Sequence, residues 1–226
     1  SVNLSININD LLPKSKLLRS MIITSNYQLQ DGDVWQNVEK DYNSKNKLWI
    51  RTPLKPKNPF AQRTSATMRD SYNSILRWQP FESFVFDTRF KSLSTILITN
   101  NYNYSVQKNY TNDVYTKTVN KTMPDLVFTI SRLEYLTGLR RWASDLTMNI
   151  KYSYNTNEVI KTSLDKTNSF GTDLRFNLLN YINTYMTYNR KATEKRDLSL
   201  NQITGYTKNQ TFSVQGTFDV KQYRFT

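Results

Sequence analysis

Carboxylates are the side chains here with the plainest claim to acid–base chemistry, and their spacing does not pair them. Neither Asp125 with Glu134 nor Glu194 with Asp197 stands as a general acid and base would. The chain has no Cys and no His. That removes disulfides, Cys or His metal sites, haem ligation and the Ser-His-Asp and Cys-His nucleophile systems. No catalytic residue, cofactor or metal ligand is assigned, and the chain reads as a non-enzyme. Asn-x-Ser/Thr triplets begin at Asn3, Asn103, Asn109, Asn120 and Asn209. In a chain so rich in Asn and Thr they are expected by chance and carry no glycan assignment.

What remains is a set of rings in a polar background. The 226 residues include 15 Tyr, 11 Phe and 4 Trp but only 5 Gly, with 31 Lys and Arg against 18 Asp and Glu, a net charge of +13. A disordered basic tail lacks such rings, so the chain is expected to fold. The amino terminus carries no charged start, apolar run and cleavage site of a secretory signal, and is read as that of a mature or excised segment.

The elements that position the rings are strands. Apolar residues recur at every second position, as in Val2, Leu4, Ile6 and Ile8, in Ile96, Ile98, Tyr102 and Tyr104, and in Leu146, Met148, Ile150, Tyr152 and Tyr154. Similar runs give roughly nine strands in all. Several are long: 93–107, 145–156 and 167–178. A strand of about eleven residues tilted by ~40° covers roughly 27 Å, near the ~25 Å apolar band of an outer-membrane barrel. Soluble strands most often have ~5–6 residues.

The expected hairpins are about 1–30, 63–107, 121–156 and 167–190, with a last strand over 206–222 and a long polar loop over 31–62. Connections 9–16, 79–92 and 132–144 and the reversal near Leu179 are compact, whereas 30–62, 108–120, 157–167 and 191–205 are polar. Such an asymmetry between the two ends of a sheet is that of a membrane barrel. The fold class is therefore all-β, an antiparallel up-and-down transmembrane barrel section of about nine long strands. It is expected to be incomplete, because about nine strands do not close as an even-numbered barrel.

The two sides of the strands separate by chemistry. Lipid-facing positions are Ile96, Ile98, Leu126, Phe128, Ile130, Met148, Ile150, Leu174 and Phe176. Tyr102, Tyr104, Tyr152, Tyr154 and Tyr188 cluster toward the polar-loop end, and Trp78 and Trp142, with Phe81, Phe84, Phe86 and Tyr135, toward the compact end. These read as two aromatic girdles, since a ring with a polar tip rests well at a membrane interface. Thr99, Asn101, Asn103, Asn149, Lys151, Asp173 and Arg175 belong to the other side, which suits a water-filled lumen.

Positive charge together with many rings first suggests nucleic acid. The basic residues are scattered, as in Lys45, Lys47, Arg51, Lys55 and Lys57, or Arg190, Lys191, Lys195 and Arg196. No RNP-like motif, Gly-rich phosphate loop or basic helix accompanies them, so nucleic acid is disfavoured. They read as solvated loops of an outer surface, facing the phosphates of surface glycolipids.

The stretch LRWQPFESFVFDTRFKSLSTILITNNYNYS, followed by KTMPDLVFTISRLEYLTGLRRWASDLTMNIKYSYN, resembles the very large outer-membrane barrel proteins of the SprA type. The resemblance rests on Trp78, Pro80 and Phe81, on Pro124, Asp125 and Leu126, and on Leu139, Arg140, Arg141 and Trp142, and covers roughly residues 75–190. It implies a bacterial outer-membrane location and a place in the wall of a protein-export translocon of type IX secretion and gliding motility. The implied partners are outer-membrane lipid and lipopolysaccharide, the remaining strands of the same barrel, and secreted protein substrates. The alternative is a soluble or surface-attached β-rich adhesion module.

Overall fold

A computed structural model of the chain describes residues 2–7, 15–36, 62–111, 114–179 and 181–218. They form one antiparallel sheet of nine strands: β1 (Val2–Asn7), β2 (Ile22–Gln36), β3 (Gln62–Trp78), β4 (Leu97–Thr111), β5 (Val114–Ile130), β6 (Ala143–Val159), β7 (Ser163–Leu178), β8 (Ile182–Asp197) and β9 (Gln202–Phe218). Each strand pairs with its neighbours in sequence, so the chain runs up and down without a crossover.

Strands β2 to β9 have 15 to 17 residues, longer than the apolar alternation predicts. Most of the segments 108–120, 157–167 and 191–205, expected as polar loops, are strand. The ladder needs only backbone N–H and C=O groups, and Thr, Tyr and Val favour it whatever the polarity around them. Cross-strand pairs such as Val106 with Val119 and Tyr110 with Tyr115 carry β4 and β5 outward. The start of the expected 31–62 loop, Asp31–Gln36, is likewise part of β2, and β9 begins four residues before the expected 206. Residues 37–61 and the end of the expected last strand, 219–222, lie outside the described residues, as do Lys45, Lys47, Arg51, Lys55 and Lys57.

The compact connections all fall at one end of the sheet, and two of them fold back over it. Thr88–Thr95 forms a 3-10 helix between β3 and β4, and α1 (Leu133–Thr137) lies between β5 and β6. Gly138, at φ +74°, closes α1 in the left-handed conformation that favours glycine at a helix end. The two helices are tied together. Ser92 Oγ donates to the Arg132 carbonyl, and Thr95 Oγ1 donates to the Ser131 carbonyl while accepting from the Ser131 N–H, both at 2.9 Å. Beneath them Ile96, Ile130, Leu133 and Leu146 form a buried cluster, flanked by Phe81, Leu93, Ile98, Phe128, Met148, Leu174 and Phe176. Away from that base, among the described residues, the sheet is a single layer.

Candidate functional site

Cross-strand partners share a face, so the register sorts every strand residue onto one side or the other. One continuous row of partners is Ile98, Phe128, Ile150, Thr172, Tyr188 and Phe212. Leu126, Met148, Leu174 and Phe176 lie on this same apolar face, where Met148, Leu174 and Phe176, like Ile98 and Phe128, pack against the buried cluster. Ile96 and Ile130 do not lie open on it. They are 8 % and 5 % exposed, covered by the turn helices, so the sequence reading that left them open is corrected. Periodicity assigns a face, but it cannot show that a connecting segment folds back over that face.

The aromatic residues of the far girdle also gather on the apolar face. Tyr72 pairs with Tyr104 and packs its ring 5.6 Å from that of Tyr102. Tyr152 pairs with Phe170, whose ring lies 6.3 Å from Tyr188, and Tyr188 pairs with Phe212. Tyr154 follows Tyr152 on the same face. Tyr72, Phe170 and Phe212 were missed as members of the belt, because only the register shows that they stand beside it.

That belt does not follow the rows of partners. Phe212 is level, through successive partners, with Ile98 of β4 rather than with Tyr102 or Tyr104. From Tyr102 and Tyr104 through Tyr152, Phe170 and Tyr188 to Phe212 the aromatic band slips by about one residue per strand, and Tyr206, which shares the row of Tyr104, lies beyond it in β9. One residue of ~3.3 Å against a strand spacing of ~4.8 Å is a slope of roughly 35°, so the band is level only if the strands are inclined by that angle. Strands of closed barrels tilt by ~35–45°.

At the compact end Trp78 donates its indole Nε1–H to the Leu17 carbonyl at 2.7 Å, and Trp142 is left 61 % exposed beside β6. Phe81 meets Phe84 and Phe86 edge-on and Phe84 stacks on Phe86, with centroids 6.1 to 6.2 Å apart, and Tyr135 lies under the Arg140 guanidinium at 4.3 Å.

The opposite face is polar, and it satisfies itself. Thr99, Asn101, Asn103, Asn149, Lys151, Asp173 and Arg175 all lie on it, as expected. Asp173, buried, receives Lys151 Nζ at 2.6 Å and the Tyr185 hydroxyl at 3.3 Å. Arg175, two residues on, sits over the Tyr185 ring at 4.7 Å instead of joining Asp173. Asn101 donates to Asp125 at 3.1 Å, Thr129 to Asn149 at 2.7 Å, and Asn73 to Asn103. Gly171 makes room for this packing: a Cβ there would fall 2.6 Å from Asn189 Oδ1. Beside Arg175 and Tyr185 opens a shallow groove of about 410 Å³.

The carboxylates noted in the sequence have structural partners. Glu134, buried under α1, accepts the Leu146 N–H at 2.9 Å where β6 is bulged. Asp125 ends the bulge in β5 that accommodates Pro124, which cannot donate to the ladder. Asp197, at the loop end of β8, accepts the Ser199 hydroxyl at 2.6 Å and the backbone N–H groups of Leu200 and Ser199. These bonds hold its carboxyl below the usual carboxylate range.

No family model, curated protein or solved structure matches this chain. The geometry alone carries the reading that follows.

Proposed function

We propose that the sheet is a section of the wall of a bacterial outer-membrane β-barrel, with its apolar face toward lipid and its polar face toward a hydrated lumen. The observation that carries this is the tilted aromatic band, bordering an apolar surface that stays open on a single-layer sheet. On that surface Tyr104, Leu126 and Phe170, all in inner strands, are 36 %, 37 % and 39 % exposed, and Val214 and Phe212 on the outer strand β9 are 52 % and 71 %. A sheet normally covers its apolar face with a second layer, and exposed apolar surface of this extent marks an interaction site. Hydrocarbon covers such a face without a second layer, and a hydrogen-bonded polar face is suited to water. The outer strands β1 and β9 would continue the ladder into further strands of the same barrel, or into a second copy of the chain where vesicles hold this chain alone, since open edges are not stable in lipid.

The narrower reading is a protein-export translocon of the SprA type, supported by the resemblance over residues 75–190. Of the residues that carry that resemblance, Phe81 packs against the closed base, and Leu139 and Trp142 lie exposed in the turn beside it. Trp78 anchors the first turn, Pro80 is buried, and Pro124 marks the bulge of β5. Secreted protein substrates would then pass along the polar face.

The test uses two adjacent exposed positions of β9. Val214→Arg places a charge on the apolar face and Ser213→Arg places one on the polar face. In phosphatidylcholine vesicles Val214→Arg, one pair of residues inside the aromatic band, is expected to lower folding stability by ~1–2 kcal/mol, less than a midplane charge would, and Ser213→Arg to leave it nearly unchanged. Both changes are nearly neutral for an exposed strand in water, so equal tolerance in vesicles would favour the soluble adhesion module instead.

A further inference from the structure

Beyond the aromatic band, the apolar face of β4 to β9 changes into a strip of cations, whereas β2 and β3 carry Asp31 and Asp70 there. Lys108 lies four residues past Tyr104 in β4, Lys166 four past Phe170 in β7, Arg190 two past Tyr188 in β8, and Lys208 four past Phe212 in β9. Lys117 of β5 is the direct partner of Lys108, and Lys121 is the partner of Tyr104. The strip slips from strand to strand with the rings and spans the interval from the row of Tyr104, where Lys121 stands, to four residues beyond the rings. Two to four residues along strands tilted by ~35° put most of it roughly 5–10 Å beyond the belt.

Its balance of charge is one-sided. On the apolar face this part of β4 to β9 carries the carboxylates Glu158 and Glu194. Glu194 lies 3.5 Å from Arg196 and opposite Lys166. Among the described residues none of the six cations has an ion-pair partner. At the same height the polar face holds mostly Thr and Asn, with Lys191 and Lys195 balanced by Asp165 and Asp197. Charge placed only for solubility would appear on both faces. Cations stacked opposite one another, as Lys108 and Lys117 are, repel unless an anion lies between them.

We propose that this strip binds the phosphates of anionic lipid headgroups, holding the sheet at a fixed depth in the leaflet on its loop side. The inference rests on the membrane reading above and adds a partner to the same face. Arg190 and Arg196, together with Lys191 and Lys195, belong to β8 rather than to loops, so the faces they occupy separate their roles.

The test refolds the full chain into phosphatidylcholine vesicles with and without phosphatidylglycerol and measures the bound fraction by flotation across a salt series. Tighter, salt-sensitive binding to the anionic vesicles is expected. Arg190→Gln and Lys208→Gln should each weaken it by about fivefold, Arg190→Lys should restore it, and Lys191→Gln with Lys195→Gln should leave it unchanged. Equal loss from both pairs would overturn the inference, because total charge and not the strip would then govern binding. Duplex DNA or free inorganic phosphate that binds through Arg190 and Lys208 as tightly as the lipid would overturn it as well. A chain that inserts equally into both vesicles overturns this inference alone. One that inserts into neither overturns the membrane reading with it.

Discussion

Ile130 and Val214 lie on the same face of one sheet, yet Ile130 is 5 % exposed and Val214 is 52 %. The difference lies in what covers them and in where they stand, since Val214 is on the outer strand β9 and Ile130 on the inner strand β5. At the compact end the 3-10 helix and α1 fold over Ile96, Ile130 and Leu146 and close them from solvent, as in an ordinary core. Higher on the same face nothing described covers Val214 or Phe212. The chain thus covers its own apolar surface at one end and leaves it open over the middle of the strands. On the account proposed here, the boundary between the two regions is where lipid takes over from protein as the covering layer.

Substitution can break that comparison at each level. The closed base should behave alike in any solvent. Ile130→Ala removes a buried side chain that can collapse only in part, and is expected to cost ~2–5 kcal/mol in detergent and in vesicles alike, read by thermal or urea unfolding. A cost that disappears in vesicles would mean that the base is open to lipid too. Asp173→Ala tests the self-satisfied polar face. It leaves Lys151 and Tyr185 without their acceptor, but Lys151 is half exposed and can rehydrate, so a loss of about 1–2 kcal/mol is expected. A much larger loss would place that face in a dry interior.

The smallest effect belongs to the loop end. Because its hydrogen bonds lower the Asp197 pKa in the folded chain, its contribution is present above the ordinary carboxylate range and is lost as pH falls through the lowered value. Unfolding measured against pH should show Asp197→Asn weaker than the parent at neutral pH, with the gap closing in strong acid. A gap that widened in acid would contradict the bonding from Ser199 and Leu200.

Much of this arrangement is legible in the sequence. The period of two assigns Ile98 and Thr99 to opposite faces, and the compact turns place four connections at one end. Three things are not legible, each for a physical reason. Strand length is hidden in segments such as 108–120, because a ladder held by backbone bonds leaves no apolar signature when both faces meet water. The burial of Ile96 and Ile130 depends on Ser92 and Thr95 tying two turns together across segments far apart in the chain, and on Glu134 holding its turn to the start of β6. The level of the aromatic band depends on register, which alone brings Phe170 and Phe212 beside Tyr152 and Tyr188. Ile98 packs against the buried cluster, so a charge there would destabilise the chain in any solvent, whereas Val214 reports on the solvent itself.

The central claim is that the open apolar face meets hydrocarbon. Since the chain has no Cys, single cysteines at Phe212, Ser213, Val214 and Gln215 can each carry a nitroxide label without competing sites. All four positions are exposed, so in water they should respond alike. In phosphatidylcholine vesicles the account predicts an alternation. Labels at Phe212 and Val214 collide more with dissolved oxygen, which concentrates in hydrocarbon, and those at Ser213 and Gln215 collide more with a water-soluble nickel chelate. Four labels that all respond as they do in water would contradict it.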